Sequence, residues 1–201
     1  MKIILTSDVE LWSWNRNFKQ DVEEGVLRMM KLCEEEKIPI TLFVSLSDKG
    51  YARKDYLGKI KNLLEHISSR YIKFGVHTHC KNLPIEYSNI SDNLNRYSEV
   101  EIIKILKWYK KWLENVTQTK IFVHRAGGYN IPNLMLLERC FKNVGLKIDS
   151  SLLKREYSEP LKIGKLKEVS PATNFRYSNK KIVWSPEQMT LKEMVKFYNK
   201  A

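Results

Sequence analysis

Cys33, Cys80 and Cys140 are the only cysteines in this 201-residue chain. Their spacing is unpaired, which excludes a disulfide framework and any Cys-x-x-Cys motif. None has a neighbour pattern that would activate it as a nucleophile. Long apolar runs are missing too. No stretch approaches the ~20 residues of a membrane span, and Ile3, Ile4 and Leu5 after Lys2 fall far short of a signal-peptide core. A cytoplasmic location is expected. The sequence has no serine elbow, no phosphate-binding glycine loop and no dinucleotide fingerprint. It also has no internal repeat, low-complexity segment or linker, so one domain over residues 1–201 is expected. Acidic residues are in the minority, 23 against 35 Lys and Arg, for a net charge of +12. Such a surface attracts polyanions. The excess is scattered lysine rather than blocks, which describes a solvated exterior. No recognition-helix, zinc-finger or RNP pattern supports a nucleic-acid partner.

What is present is an alternation of short apolar runs and helical periodicity. Strands are expected at about residues 2–7, 40–45, 72–76, 121–125 and 146–149. Helices are expected at 20–37, 54–69, from the Ser98/Glu101 capping box onward, and from an Asn130 cap to about Val144, where Gly145 supplies a left-handed stop. The segment 80–97 has no period and reads as a long loop. Short strands near 161–169, a late strand at 181–184 and a helix capped by Thr190 complete the chain. Strand–helix alternation argues for an α/β fold with a mainly parallel sheet. Closed eight-unit barrels need about 250 residues, so an incomplete barrel suits this length better.

Four of the strand ends carry ionisable residues: Asp8 in ILTSDVE, His77 in KFGVHTH, Arg125 in IFVHRAGGY and Asp149 in GLKIDSS. Loops that follow parallel strands gather at one end of the sheet. Asp8 and Glu10, two apart on an extended segment, project to one side. They suit a metal ligand beside a general base, or else an exposed turn carboxylate and a helix cap. His77 and His79 have the same spacing and can share a divalent cation; one carboxylate added makes a three-ligand site with room for water. The alternative is one buried and one exposed histidine. Arg125 can pair with a carboxylate, and the two glycines after it let the backbone turn tightly. Asp149 can orient a neighbour or cap the next segment. Trp12 and Trp14 can stack on sugar rings or fill a core.

In this order the four stretches resemble the polysaccharide deacetylase family with the NodB homology domain (carbohydrate esterase family 4). TSDVE stands for its Asp-Asp motif, HTHCK for its metal-binding histidines, RAGGY for its arginine–glycine–tyrosine motif and DSS for its later aspartate motif. The similarity runs from residue 1 to about residue 187. It implies a distorted or incomplete (β/α) barrel of about six to seven parallel strands. The implied activity is hydrolysis of N- or O-acetyl groups on a sugar or polysaccharide with a divalent metal, usually zinc; the net charge of +12 suits an anionic saccharide. Asp8 resembles the general base. The family's second Asp aligns with Val9, so Glu10 is the replacement ligand. His77 resembles the first metal histidine. The usual second one lies where this chain has Cys80 and Lys81, which leaves His79 as the local substitute. Arg125 resembles the tether of the base, and Tyr129 the residue whose backbone N–H holds the oxyanion. Asp149 resembles the residue that orients the proton donor. The family's general-acid histidine before Pro is replaced by Ser185 in IVWSPE. Either His79, His124 or a partner supplies the proton, or the chain is a weak or inactive relative that binds a glycan or partner.

Overall fold

In the computed structural model, residues 5–11, 17–48, 55–86, 90–152, 160–170, 175–177 and 180–182 are described. Trp12, Trp14, Ser185 and the helix expected at Thr190 lie outside them. The first strand, β1 (Leu5–Val9), is followed by a π-helical turn at 19–23 that leads into α1 (Glu24–Glu36). Lys37 ends α1 in the left-handed conformation, and β2 (Ile40–Ser45) begins after Pro39. Then come α2 (Tyr56–Glu65), β3 (Ile72–Thr78), α3 (Glu99–Thr117), β4 (Val123–Ala126), α4 (Leu134–Val144) and β5 (Ile148–Asp149). The late strands near 161–169 form a hairpin, β6 (Leu161–Ile163) and β7 (Leu166–Glu168). A separate antiparallel pair, β8 (Phe175–Tyr177) and β9 (Lys180–Ile182), follows.

The sheet runs β1-β2-β3-β4-β5-β7-β6. All neighbours pair in parallel except β6 with β7. β1 to β5 succeed one another in chain order, as in a (β/α) barrel, and the hairpin then inserts β7 beside β5 and leaves the antiparallel β6 at the edge. The sheet stays open, an incomplete barrel. Among the described residues no helix is long and apolar enough to cross a membrane.

Two expectations shift. β1 and β3 run further than their apolar patterns suggest, so Asp8 and His77 sit within strands rather than after them. Pairing, not apolarity, sets these ends: Asp8 lies opposite Phe43, and His77 between Ser45 and Arg125. Second, α4 is capped by Asn133, whose side chain accepts from Leu136 N–H at 2.9 Å. Asn130 instead donates its amide to Gly128 O and Asn93 Oδ1, closing the turn before the helix. The Ser98/Glu101 capping box forms as read.

The core comprises Leu42, Val44 and Val76 from the sheet and Ile60, Leu64, Ile102, Ile105, Leu106, Leu113, Leu137 and Phe141 from the helices, all at most 1% exposed. Gly75 reflects its tightness. A Cβ there would lie 2.6 Å from Val123 Cγ2 and 2.7 Å from Phe43 Cδ1, so only glycine lets these two side chains close over the strand.

Candidate metal and acid–base site

Alternation along β3 and β4 divides their side chains between two faces. His77 and Arg125 share one face and His124 takes the other, where its ring meets Phe141 of α4 edge-on at 5.3 Å. On the first face, at the carboxyl ends of β1, β3 and β4, Glu10 Oε2 lies 3.3 Å from His77 Nε2 and 2.7 Å from His79 Nε2. The two rings meet edge to face at 4.9 Å. One ligand atom from each of Glu10, His77 and His79 fits within 4.8 Å of the others, so the group could hold a metal. Two imidazole nitrogens converging on one carboxylate oxygen require either protons or a cation between them. Two nitrogens and one oxygen are also the donor set of an open zinc site. The residues fit the ion that the resemblance implies.

Electrostatics agree with the geometry. Burial works to raise the Glu10 pKa, but His77 and His79 outweigh it and hold the carboxyl well below its usual range. Burial likewise opposes a charged His79, and Asp92 and Glu10 on either side raise its pKa above the ordinary histidine value.

Asp8 Oδ2 faces the same cluster, 4.0 Å from His77 Nε2. Its other oxygen accepts from Arg125 Nη1 at 2.7 Å. Arg125 is fixed from several sides: Nη2 donates to Thr6 Oγ1 and Ser150 Oγ, Nε donates to Ser150 O, and the guanidinium lies 4.2 Å over the Phe43 ring. Nothing in the sequence marks Thr6, Phe43 or Ser150 as its seat. Tyr129 ends the 3₁₀ turn after β4 with φ of 59°.

Asp149 sits elsewhere. It is fully buried and accepts from His124 Nδ1 at 2.6 Å and from Ser151 Oγ at 2.8 Å. His124 Nε2 contacts Thr78 Oγ1 at 2.8 Å. With Asp149 taking the Nδ1 proton, Thr78 is the donor in that bond. Burial lowers the His124 pKa to about 3. A neutral ring with both nitrogens engaged and no exposed surface does not donate a proton to a substrate. Glu168 completes the row: it pairs with Asp149 across β5 and β7, is 1% exposed, and was missed in the sequence. An acidic residue at an inward position of LKEV is the signal that could have found it.

The second residue missed is Asp92, whose Oδ2 lies 2.7 Å from His79 Nδ1. The first glycine of RAGGY also has a use beyond turning the chain. A Cβ on Gly127 would lie 2.3 Å from His79 Cε1, so the imidazole rests directly on the glycine backbone. Gly127→Ala is expected to displace that ring. Stability should fall by about 1–3 kcal/mol, and affinity for a cation held by Glu10, His77 and His79 by at least about tenfold. Thermal melts and chelator competition would measure both, and unchanged affinity would show that the contact does not position His79.

The backbone is similar to that of a solved structure described as "putative polysaccharide deacetylase from Mycobacterium smegmatis". The identity is 17% and the TM-score 0.59, over 86% of this chain. The chain spans 58% of that protein, and the likeness establishes a shared fold. No protein-family model matches the sequence, and no curated protein matches it.

Proposed function

We propose that this chain is a metal-dependent hydrolase that removes an acetyl group from a sugar or polysaccharide. The observation that supports this is the meeting of Glu10, His77 and His79 beside an Asp8 held by Arg125, at the strand ends of a deacetylase-like fold. Glu10, His77 and His79 would hold the ion, with zinc suited to the donor set. The chemistry a bound ion supplies is polarisation of the acetyl carbonyl and a lowered pKa for water.

The chain's own groups do the rest. Asp8 takes the proton of the attacking water at Oδ2, the oxygen that Arg125 leaves facing the cluster. The Tyr129 N–H donates to the oxyanion. Asp149 acts from below, through His124 and Thr78, on the segment that carries both ligand histidines. The four histidines of the sequence are then accounted for: two are ligands, His124 is sealed, and His66 ends α2, the helix that leads back to the start of β3. No imidazole is left to protonate a departing amine. Acetyl esters, whose alkoxide leaves with less help than an amine, therefore suit the site better than amides. The basic surface suits an anionic saccharide, and three buried free thiols suit a cytoplasmic location.

Purified protein should carry about one equivalent of zinc or a similar ion, and His77→Ala should lose it. Wild type should release acetate from O-acetylated saccharides, and more slowly from N-acetylated ones, above the His77→Ala background. Metal-free wild type would overturn the reading. The replacement of the late histidine by Ser185 favours a second reading, a non-catalytic relative that binds a glycan or partner. Saccharide binding with metal present and no acetate released would select it.

A further inference from the structure

We infer that Asp92 is a positioning residue that fixes the tautomer of His79, so that Nε2 presents a lone pair to the ion. The inference rests on the metal-dependent reading above and assigns a role to a residue outside the motif set.

The geometry is that of a carboxylate behind a ligand histidine. Asp92 Oδ2 lies 2.7 Å from His79 Nδ1, while His79 Nε2 faces Glu10 on the far side of the ring. A carboxylate has no proton to give, so it accepts Nδ1–H. In the neutral imidazole that leaves Nε2 as the free lone pair, the only form in which His79 can bind a cation alongside Glu10 and His77.

The carboxylate is itself held. Asp92 Oδ1 accepts from Lys81 N–H, and its carbonyl accepts from Cys80 N–H, both at 3.3 Å. Its neighbours are tied down as well. Ser91 exchanges two hydrogen bonds with the Tyr97 hydroxyl, and Asn93 accepts from Asn130. His79 is gripped from other directions, by the Tyr109 hydroxyl on its carbonyl at 2.6 Å and by Gly127 beneath its ring. The socket therefore leaves His79 one ring orientation, and with a cation in place of a proton between Nε2 and Glu10, Asp92 holds the remaining ring proton on Nδ1.

Asp92→Asn separates this role from a structural one. The amide oxygen can keep the Lys81 N–H bond and hence the loop. The amide nitrogen then faces His79 Nδ1 and donates to it, which reverses the tautomer. The full-length variant should fold with a melting temperature close to wild type, show His79 protonated at Nε2 in nitrogen-15 imidazole spectra of the metal-free protein at alkaline pH, and bind zinc about 10–100-fold more weakly. Zinc-loaded wild type should show the Nδ1–H form. Equal zinc affinity and an unchanged tautomer in the variant would overturn the role of Asp92 and leave the metal reading intact. Wild type that binds no zinc would overturn both. If the variant does not fold, wild type decides alone: an Nε2–H signal for His79 in the zinc-loaded protein refutes the inference.

Discussion

Asp8→Asn is expected to cut acetate release by about 10²–10⁴-fold while zinc content stays at one equivalent. The substitution keeps the shape of the side chain and an oxygen that Arg125 Nη1 can still reach. What it removes is the capacity to take a proton on the face turned toward His77. Asp8 stands 4.0 Å from His77 Nε2, whereas Glu10 stands at 3.3 Å and at 2.7 Å from His79, so in the proposed function the two carboxylates divide the work: Glu10 to the ion, Asp8 to the water. Glu10→Gln should do the reverse and lose zinc first. A large loss of zinc in Asp8→Asn would instead place Asp8 among the ligands. Release near the wild-type rate would remove it from the chemistry altogether. Acetate release and bound metal, measured on the same preparations, distinguish these outcomes.

The second large effect belongs to the buried row behind the site. Burial, reinforced by the neighbouring Asp149 carboxyl, raises Glu168 to about 8, and burial raises Asp149 as well. In the unfolded chain a glutamate titrates near 4.3. Glu168 is therefore protonated in the folded protein at neutral pH and ionised in the unfolded one, so folding takes up a proton. Stability from this source is fully present below about pH 4.5 and is lost progressively as pH rises to about 8, by up to about 1.4 kcal/mol per pH unit. Above pH 8 the loss is complete and the dependence flattens. Glu168→Gln has no proton to lose, and its amide can donate toward Asp149 while its oxygen accepts from Leu152 N–H as Glu168 does now. The variant should match wild type near pH 5 and exceed it by about 2 kcal/mol or more at pH 9. Urea titrations at the two pH values measure the difference. Parallel pH profiles for variant and wild type would show that Glu168 ionises freely in the fold.

Much of this was legible in the residues. β2 came out at its expected bounds because ITLFVS is β-branched, aromatic and ended by polar residues. The two-residue spacings in DVE and HTH carried real geometric content: alternation turns Asp8, Glu10, His77 and His79 toward one another. Arg125 met Asp8, 117 positions away, because consecutive parallel strands place their carboxyl ends together.

The remainder depended on facts that a linear reading does not hold. Asp149 ends its strand much as Arg125 does, but it belongs to the row that faces the helices, and only the pairing register says so. Asp92 lies in a loop without period, and its partner is fixed by how residues 91–93 are pinned to Tyr97 and Asn130. Asn130 looked like a cap because asparagine caps well. The preceding turn took its side chain first, leaving Asn133 for the helix.

Gly75 carries a consequence for how freely this sequence can drift. It makes room for the Phe43 ring, that ring supports the Arg125 guanidinium, and the guanidinium aims Asp8. A single added methyl at residue 75, far from any bound sugar, would reach the Asp8 carboxylate through three successive displacements. If the proposed reaction is the chain's own, tolerance to substitution at this position is set by catalysis as much as by the fold.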